Sequence, residues 1–451
     1  MASEKTVLRQ VREVNIAQCI IESNTGGEFV DIVDLITDFS YYESILDPSI
    51  RTTIVYADVG KSIKKGNKTL TVIDGLPLQR FESVKIKMTD GNDVKLEFEQ
   101  FVNKIVPMGQ EPTKSVIVLD LVSEEGIVNL TAAVNERFDG KISEHVKKIL
   151  TDKKFLGTKK KLDIEEVENN YCFIGNNKRS FYTILWLAKK SIPLLQGAKQ
   201  NTAGYFFFET SEGFKFKSID SLLNQEKKKS FIYNETPDSA GENLPSGYSA
   251  KILKLSVDDV GGDVQSKLEI GSYDTKTVLF DPFNCYYEVI IKGIEQTEEN
   301  LKLAGKNLPV INPKFIRRGK NKNFTRTQYM LIDRGTLPTG DTKEQIKKSD
   351  QPNFDPQNIL NQSSMRYNQL FGVITKVTIT VDFSLHAGDI IFIDFRELSD
   401  QKNEDLNKQF GGKYLIADLC HNINVLKGGY TELNLVRDSL GKTGSFTNDL
   451  F

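Results

Sequence analysis

Three histidines, His145, His386 and His421, are the only imidazoles in the 451 residues, so chemistry that needs a ring nitrogen has few places to occur. No two stand at helical metal-ligand spacing, and no Cys-x-x-Cys pair accompanies them. His145 falls on the polar side of its helix and is expected to be exposed. His386 precedes a Gly388-Asp389 turn. His421 lies in a strand, where a ring held by cross-strand hydrogen bonds is expected rather than a general base. Two GK[ST] triplets occur, Gly60-Lys61-Ser62 and Gly441-Lys442-Thr443. A phosphate-cradling loop also needs glycine five residues before the Gly-Lys, and those places hold Val55 and Val436. No GxSxG elbow is present, and no carboxylate pair is singled out by spacing. The expectation is a chain without catalytic, cofactor-binding or metal-binding residues.

The elements that hold these residues are mainly strands. From Pro356 to Asp438 the chain opens with a helix: Asp355 can cap it, Pro356 suits its first turn, and Gly372 suits a left-handed stop. Its narrow stripe (Ile359, Leu360, Ser363, Ser364, Tyr367, Leu370, Phe371) predicts a helix that lies against another element rather than inside a bundle. The period then becomes two, with Val377, Ile379, Val381 and Phe383 on one side. Three further strands follow, Ile390–Phe395, Tyr414–Val425 and Tyr430–Asp438, separated by Gly388-Asp389, Gly411-Gly412 and Gly428-Gly429. Glycine turns without intervening helices predict a compact antiparallel sheet or small barrel.

Phe29 to Val122 is likewise strand-rich, with turns at Asp47-Pro48 and Asp90-Gly91 and a Gly/Lys loop from Gly60 to Lys68. Between Glu124 and about Gln225 the pattern mixes. A helix capped by Asp139 carries Ile142, Val146, Ile149 and Leu150, and a second runs from Arg179 to Ile192 with Ser180 as its cap. A hairpin around Ser211-Glu212-Gly213 sets Tyr205–Phe208 against Phe214–Lys217, its phenylalanines in the core. The strands from Ser230 to Ile291 are expected to begin a second barrel. A long Asn/Lys/Gly/Pro-rich excursion, 295–355, has a basic peak at Lys314–Arg326.

The ordered set VTITVDFSLHAGDIIFIDF, GGKYLIADLCHNI and GGYTELNLVRD resembles the C-terminal barrel of the baseplate hub proteins of contractile-tailed phages, related to the base of the type VI secretion spike. The matching positions are Gly388, Asp389, His421, Tyr430 and Arg437. SYYESILDPSIRTTIVYAD followed by LPLQRFESVKI is similar to that family's first tube-type barrel, and the stretch from LAKK to FFFETSEGFKFKSIDSL to its middle domain. The resemblance implies a β-rich α+β chain. Residues 1–123 would form a first tube-like β-barrel with an N-terminal arm, and 124–229 an α+β middle domain. Residues 230–294 would begin a second barrel, 295–355 form the insertion, 356–438 complete that barrel, and 439–451 form a tail.

It also implies a non-enzymatic, cofactor-free virion protein. Three copies would adapt a sixfold tail tube to a trimeric spike, with wedge proteins around them and DNA passing only through the channel. Arg317, Arg318, Lys320, Leu450 and Phe451 are candidate partner contacts. A cell-wall hydrolase fused to a tail module, a peripheral adhesin, or the spike base of a related injection system are the alternatives.

Composition gives no argument for a nucleic-acid or membrane-surface ligand. The 59 basic and 61 acidic side chains leave a net charge of −2, so no global field favours an anionic partner. Cys19, Cys172, Cys285 and Cys420 are scattered and read as reduced, buried, small hydrophobes. The charged N-terminus has no apolar signal core, and no run reaches the ~20 apolar residues that span a bilayer. Folding in a reducing host cytoplasm, without membrane insertion, is expected.

Overall fold

Arg51–Asp58 alternates as a half-buried strand must: Thr52, Ile54, Tyr56 and Asp58 face the core, while Thr53, Val55 and Ala57 look partly outward. The same rule, repeated along the chain, builds one 14-stranded sheet. The computed structural model describes residues 13–111, 113–194, 202–233, 247–258, 264–282, 285–292, 302–305, 308, 311–312, 315, 326–331, 335–336, 340–349, 356–395 and 410–439.

In the first half of the sheet the neighbours run Phe29–Asp31, Val14–Glu22, Ser83–Asp90, Lys95–Glu111, Lys114–Val122, Arg51–Asp58 and Ile36–Ser44. The second half comprises Ala250–Lys251, Lys229–Tyr233, Ile390–Phe395, Gly412–Asn424, Gly428–Arg437, Val373–Thr380 and Lys254–Asp258. Gly412–Asn424 joins the halves because, at 13 residues, it is long enough to be shared. Along one side it pairs with Gly428–Arg437. Along the other, Gly412–Leu415 pairs with Ile390–Ile393, and Asp418–Asn424 pairs with Asp38–Ser44. One buried apolar cluster lies beneath both halves, reaching from Cys19, Ile54 and Leu119 to Phe383, Leu419 and Leu435. The ladder thus passes unbroken from one strand-rich block to the other.

The α+β unit sits against this seam. Its hairpin strand Tyr205–Thr210 is buried at every position, because it is covered on both faces. Tyr205 and Phe207 join the unit's own core with Ile142, Ile149, Ile184 and Phe216. Phe206 and Phe208 pack instead with Ile390, Leu415, Ala417 and Val436 of the large sheet. The hairpin phenylalanines are therefore core, as their sequence setting indicates.

Several local expectations are corrected. Thr275–Asp281 and Tyr286–Lys292 do not enter the second half of the large sheet; with Arg326–Leu331 from the insertion they make a separate three-stranded sheet. The helix Val264–Ile270 and Gly271 turn the chain away there. Gly271 has φ +77°, and a Cβ on it would lie 2.5 Å from Thr275. The first middle helix, Ile142–Thr151, is preceded by Lys141 rather than capped by Asp139, which pairs with Arg137 at 3.0 Å. In the second, Ser180 is the first helical residue and the helix ends at Ala188.

The long helix spans Pro356–Leu370; its expected cap, Asp355, lies outside the described residues. It lies on the strands Thr275–Asp281 and Tyr286–Lys292, but its buried side is more polar than the apolar stripe suggests. Gln362, Ser363, Arg366 and Gln369 are buried beside Ile359, Met365 and Leu370. Gly372 is not left-handed: its N–H bonds Gln369 O at 2.9 Å, and a Cβ would meet Asp438 O at 3.1 Å. The following strand is Val373–Thr380, and Phe383 lies in the turn beyond it. Cys19 and Cys172 are buried and Cys420 half-buried, whereas Cys285 is exposed.

Candidate functional site: buried polar junctions at the seam

Alternation along Ile36–Ser44 sends Phe39, Tyr41 and Glu43 inward. A carboxylate so placed must be satisfied or it unfolds the strand. Glu43 accepts from the Tyr41 hydroxyl at 2.7 Å, the Ser211 N–H at 2.9 Å and the Ala387 N–H at 2.9 Å. The His386 ring approaches its Oε1 at 3.2 Å through Nδ1. One carboxylate therefore gathers the first half of the sheet, the hairpin tip of the middle unit and the turn before Ile390–Phe395. Burial alone would raise its pKa; the His386 charge and the converging N–H donors overcome this and hold it at about 2. Burial likewise opposes a charged His386, yet the Glu43 carboxylate raises its pKa above the ordinary histidine value.

The turn is itself braced. His386 N–H donates to Asp389 Oδ2 at 2.8 Å, and Lys228 Nζ reaches the same oxygen at 2.8 Å. Gly388 has φ +87°, and a Cβ would lie 2.7 Å from the Phe208 ring, so only glycine brings this turn so close to the hairpin. His421 lies alongside, its Nδ1 2.8 Å from Thr431 Oγ1 across the strand pair, stacked near Tyr41 and edge-on to Phe383. Burial pushes its pKa down to about 4.

Ser211, His386 and Glu43 look like a nucleophile, base and acid, but the geometry denies a relay. Ser211 Oγ, at 3.5 Å, and Glu43 both address Nδ1. Nε2 lies 3.7 Å from Glu212. A relay needs the acid on one ring nitrogen and the nucleophile on the other.

Two further junctions repeat the arrangement. Lys160 Nζ lies 2.6 Å from both Glu125 and Glu209, and Glu209 Oε2 accepts from the Ile50 N–H at 3.1 Å. Burial raises the Glu209 pKa against the opposing pull of Lys160. Beside it is a cleft of about 300 Å³ between the first half of the sheet and the middle unit, lined by Phe98, Glu99, Lys160 and Gly213 among others. In the third junction Arg366, 1% exposed, reaches Asp220 at 3.0 Å, Asp438 at 3.4 Å and the Lys302 carbonyl at 2.6 Å. Asp438 also accepts from the Ala304 N–H at 3.1 Å. This ties the long helix, the middle unit, the last strand and the start of the insertion together.

Of the family-matching positions, Gly388, Asp389 and His421 cluster around Glu43. Tyr430 does not: it is on the solvent side of its strand, opposite Asn422. Arg437 lies at the far end of the same strand, donating to Gly411 O at 3.2 Å over the Tyr414 ring. Arg317, Arg318, Lys320, Leu450 and Phe451 lie outside the described residues. His145 is not exposed; it is buried with Nε2 2.9 Å from Tyr171 O, and burial lowers its pKa. Sequence reasoning missed Glu43, Glu209 and Arg366. The available signal was a charge at an inward position of an alternating strand, which holds for Glu43 in ITDFSYYES. Among the described residues no group of His, Cys, Asp and Glu is arranged to hold a metal ion.

No protein-family model matches this chain, and no curated protein matches it. Solved structures do. The 43 kDa tail protein of prophage MuSo2 from Shewanella oneidensis aligns over 93% of this chain and 98% of its own, with TM-score 0.50 and 9% identity. A tail protein from Neisseria meningitidis MC58 aligns over 94% and 96%, with TM-score 0.50 and 11% identity. The chain shares the fold of these tail proteins. An Escherichia coli component of the type VI secretion system, itself structurally similar to T4 bacteriophage tail proteins, aligns over 96% of this chain and 79% of its own with TM-score 0.41 and 8% identity.

Proposed function

We propose that this protein is a structural subunit of a phage tail baseplate, a homotrimeric hub that adapts a sixfold tail tube to a threefold spike. The supporting observation is the shared strand Gly412–Asn424, which fuses two strand-rich blocks into one continuous ladder. In this reading residues 1–123 are one tube-like module, and the strands of 229–258 with those of 373–438 supply the second, the sheet of Thr275–Asp281 and Tyr286–Lys292 standing apart from it. Three copies then offer six similar modules to a tube above and three platforms to a spike below, with wedge proteins outside and DNA in transit through the centre. The protein acts in the virion tail, assembled in the host cytoplasm, and carries no catalytic step. The load-transmitting parts are the buried junctions: a contracting tail pulls on a hub whose blocks would shear if joined only by loops.

Negative-stain imaging of the purified full chain tests this. Threefold rings with six lobes are expected. A population of single globules at every concentration, or clearing in a peptidoglycan zymogram, would refute the structural reading.

A further inference from the structure

The helix Ser180–Ala188 of the middle unit carries Tyr182 and Trp186 four residues apart, one turn along the same side. Tyr171 and the short strand Phe173–Ile174 bring two further rings to them. Trp186 stands edge-on to both, its ring centre 5.4 Å from that of Tyr171 and 5.3 Å from that of Phe173, at 65° and 71°. All four rings line one cleft of about 340 Å³, at the lower end of the ~300–1,000 Å³ range of small-molecule sites. Side chains outside the lining brace them: Phe138 stacks on Phe173 at 4.9 Å, and Lys190 lies 4.0 Å from the Trp186 ring centre. The Thr336 N–H donates to Cys172 O at 2.8 Å, which brings Gly335 and Thr336 of the insertion into the lining. The walls are thus built before anything binds.

The cleft is open and uncharged. Tyr182 is 56% exposed and Trp186 half-buried, and among the described residues none that lines the cleft carries a charge. Its polar groups are the Asn176 amide and the hydroxyls of Tyr182, Thr183 and Thr336. Each of these group types can both donate and accept a hydrogen bond. An anion would call for donors alone, and a cation for acceptors alone. Lys190 moreover already supplies a cation to the Trp186 and Tyr171 rings, so a cationic ligand would meet like charge across them.

What suits both halves of this lining is a neutral molecule with an apolar flat and a rim of hydroxyls. A pyranose ring is built that way: its axial C–H groups make a face that packs on an aromatic ring, and its equatorial hydroxyls point outward, each a donor and an acceptor. We propose that the cleft binds a neutral oligosaccharide, with Trp186 and Tyr182 as the packing surface and Asn176 at the rim as a hydroxyl partner. A proline-rich peptide also packs on aromatic rings, but it lies extended along an aromatic-lined groove, whereas these rings meet as a corner. The inference goes beyond the hub reading and does not rest on it.

Trp186 is the only tryptophan in the sequence, so tryptophan emission from the full chain reports on this cleft alone. Titration with cellotetraose, maltotetraose and chitotetraose at millimolar concentrations should give a saturable change in emission with at least one of them. Tyr182→Ala, at an exposed position, should weaken that binding about tenfold and leave the urea midpoint unchanged. Asn176→Ala, also at an exposed position, should weaken it independently. Choline and hexaproline should leave the emission as it was. No saturable change with any of the three sugars overturns the inference. Sugar binding that both substitutions leave intact overturns it as well, and so does a response to hexaproline or choline but to no sugar. None of these outcomes bears on ring symmetry, so the hub reading stands or falls separately, by imaging.

Discussion

Replacing Glu43 by Gln is the sharpest test of the seam. The carboxylate is fully buried and receives three hydrogen bonds besides its contact with His386. Gln keeps the shape but offers one acceptor oxygen where two were used. Its NH₂ must then face a donor, and His386 loses its counter-charge. Breaking a buried ion pair from one side costs about 3–5 kcal/mol. The pKa gives a second route to the magnitude. A fall from the ordinary 4.5 to about 2 corresponds to about 3 kcal/mol, at ~1.36 kcal/mol per unit.

The sign with pH follows. Glu43 is depressed, so its contribution is present above 4.5 and is lost as pH falls from there toward 2. His386 is raised, so its contribution is full below 6.5 and is lost as pH climbs through its folded value above that. His421, depressed to about 4, takes stability away as pH falls from 6.5; burial, the chief cause, is common to both proteins, whereas loss of the Glu43 charge, which raises it, depresses it further in the variant. Tyr41, Ser211, Glu212, Asp389 and Lys228 also face the pair and are unchanged between the two proteins. The stability difference between wild type and Glu43→Gln should therefore peak between pH 4.5 and 6.5, at about 3 kcal/mol, and shrink on both sides. Urea unfolding of the full chain at pH 3.5, 5.5 and 8 (about one unit or more outside each edge of the window and one point within it), followed by the first transition, measures it. A difference under about 1 kcal/mol at pH 5.5, or one that is flat with pH, would refute the reasoning.

Arg366→Met should destabilise by about 3–5 kcal/mol, since it strands Asp220 and Asp438 in the interior; hydrogen exchange should speed up around Ile219–Leu223 in the same variant. Gly388→Ala must hold a left-handed backbone and push its methyl into Phe208, for a loss of about 2–3 kcal/mol in unfolding free energy, read from urea denaturation. Tyr430→Ala, on the solvent side of its strand, should change stability by under about 0.5 kcal/mol. Lys160→Met leaves Glu209 and Glu125 facing each other without a cation. Glu209 should then take up a proton at higher pH, visible as a shifted carboxyl band in difference infrared spectra.

The local elements were legible because their causes are local. Alternation in RTTIVYAD, VITKVTIT and YTELNLVRD determines strands, and the glycines at 388, 412 and 428 mark turns that no side chain tolerates easily. His421's cross-strand bond was readable for the same reason, since its partner Thr431 lies one hairpin away. Where readings failed, the deciding partner was remote. His145 is on a polar-looking helix side, yet Tyr171 and Phe173 cover it. TKTVLFD and CYYEVII alternate as barrel strands would, but the mate that completes their sheet comes from Arg326–Leu331, within the insertion.

The sequence by itself determined a β-rich chain with a mixed middle unit, but it did not single out Glu43, Glu209 and Arg366 as charges buried in the interior. Only the tertiary structure decided what answers them. Glu43 meets Ser211 and His386 across separations of 168 and 343 residues, and periodicity carries no information over such distances. A buried charge states a requirement in one dimension; which group meets it depends on how three packed units close in space.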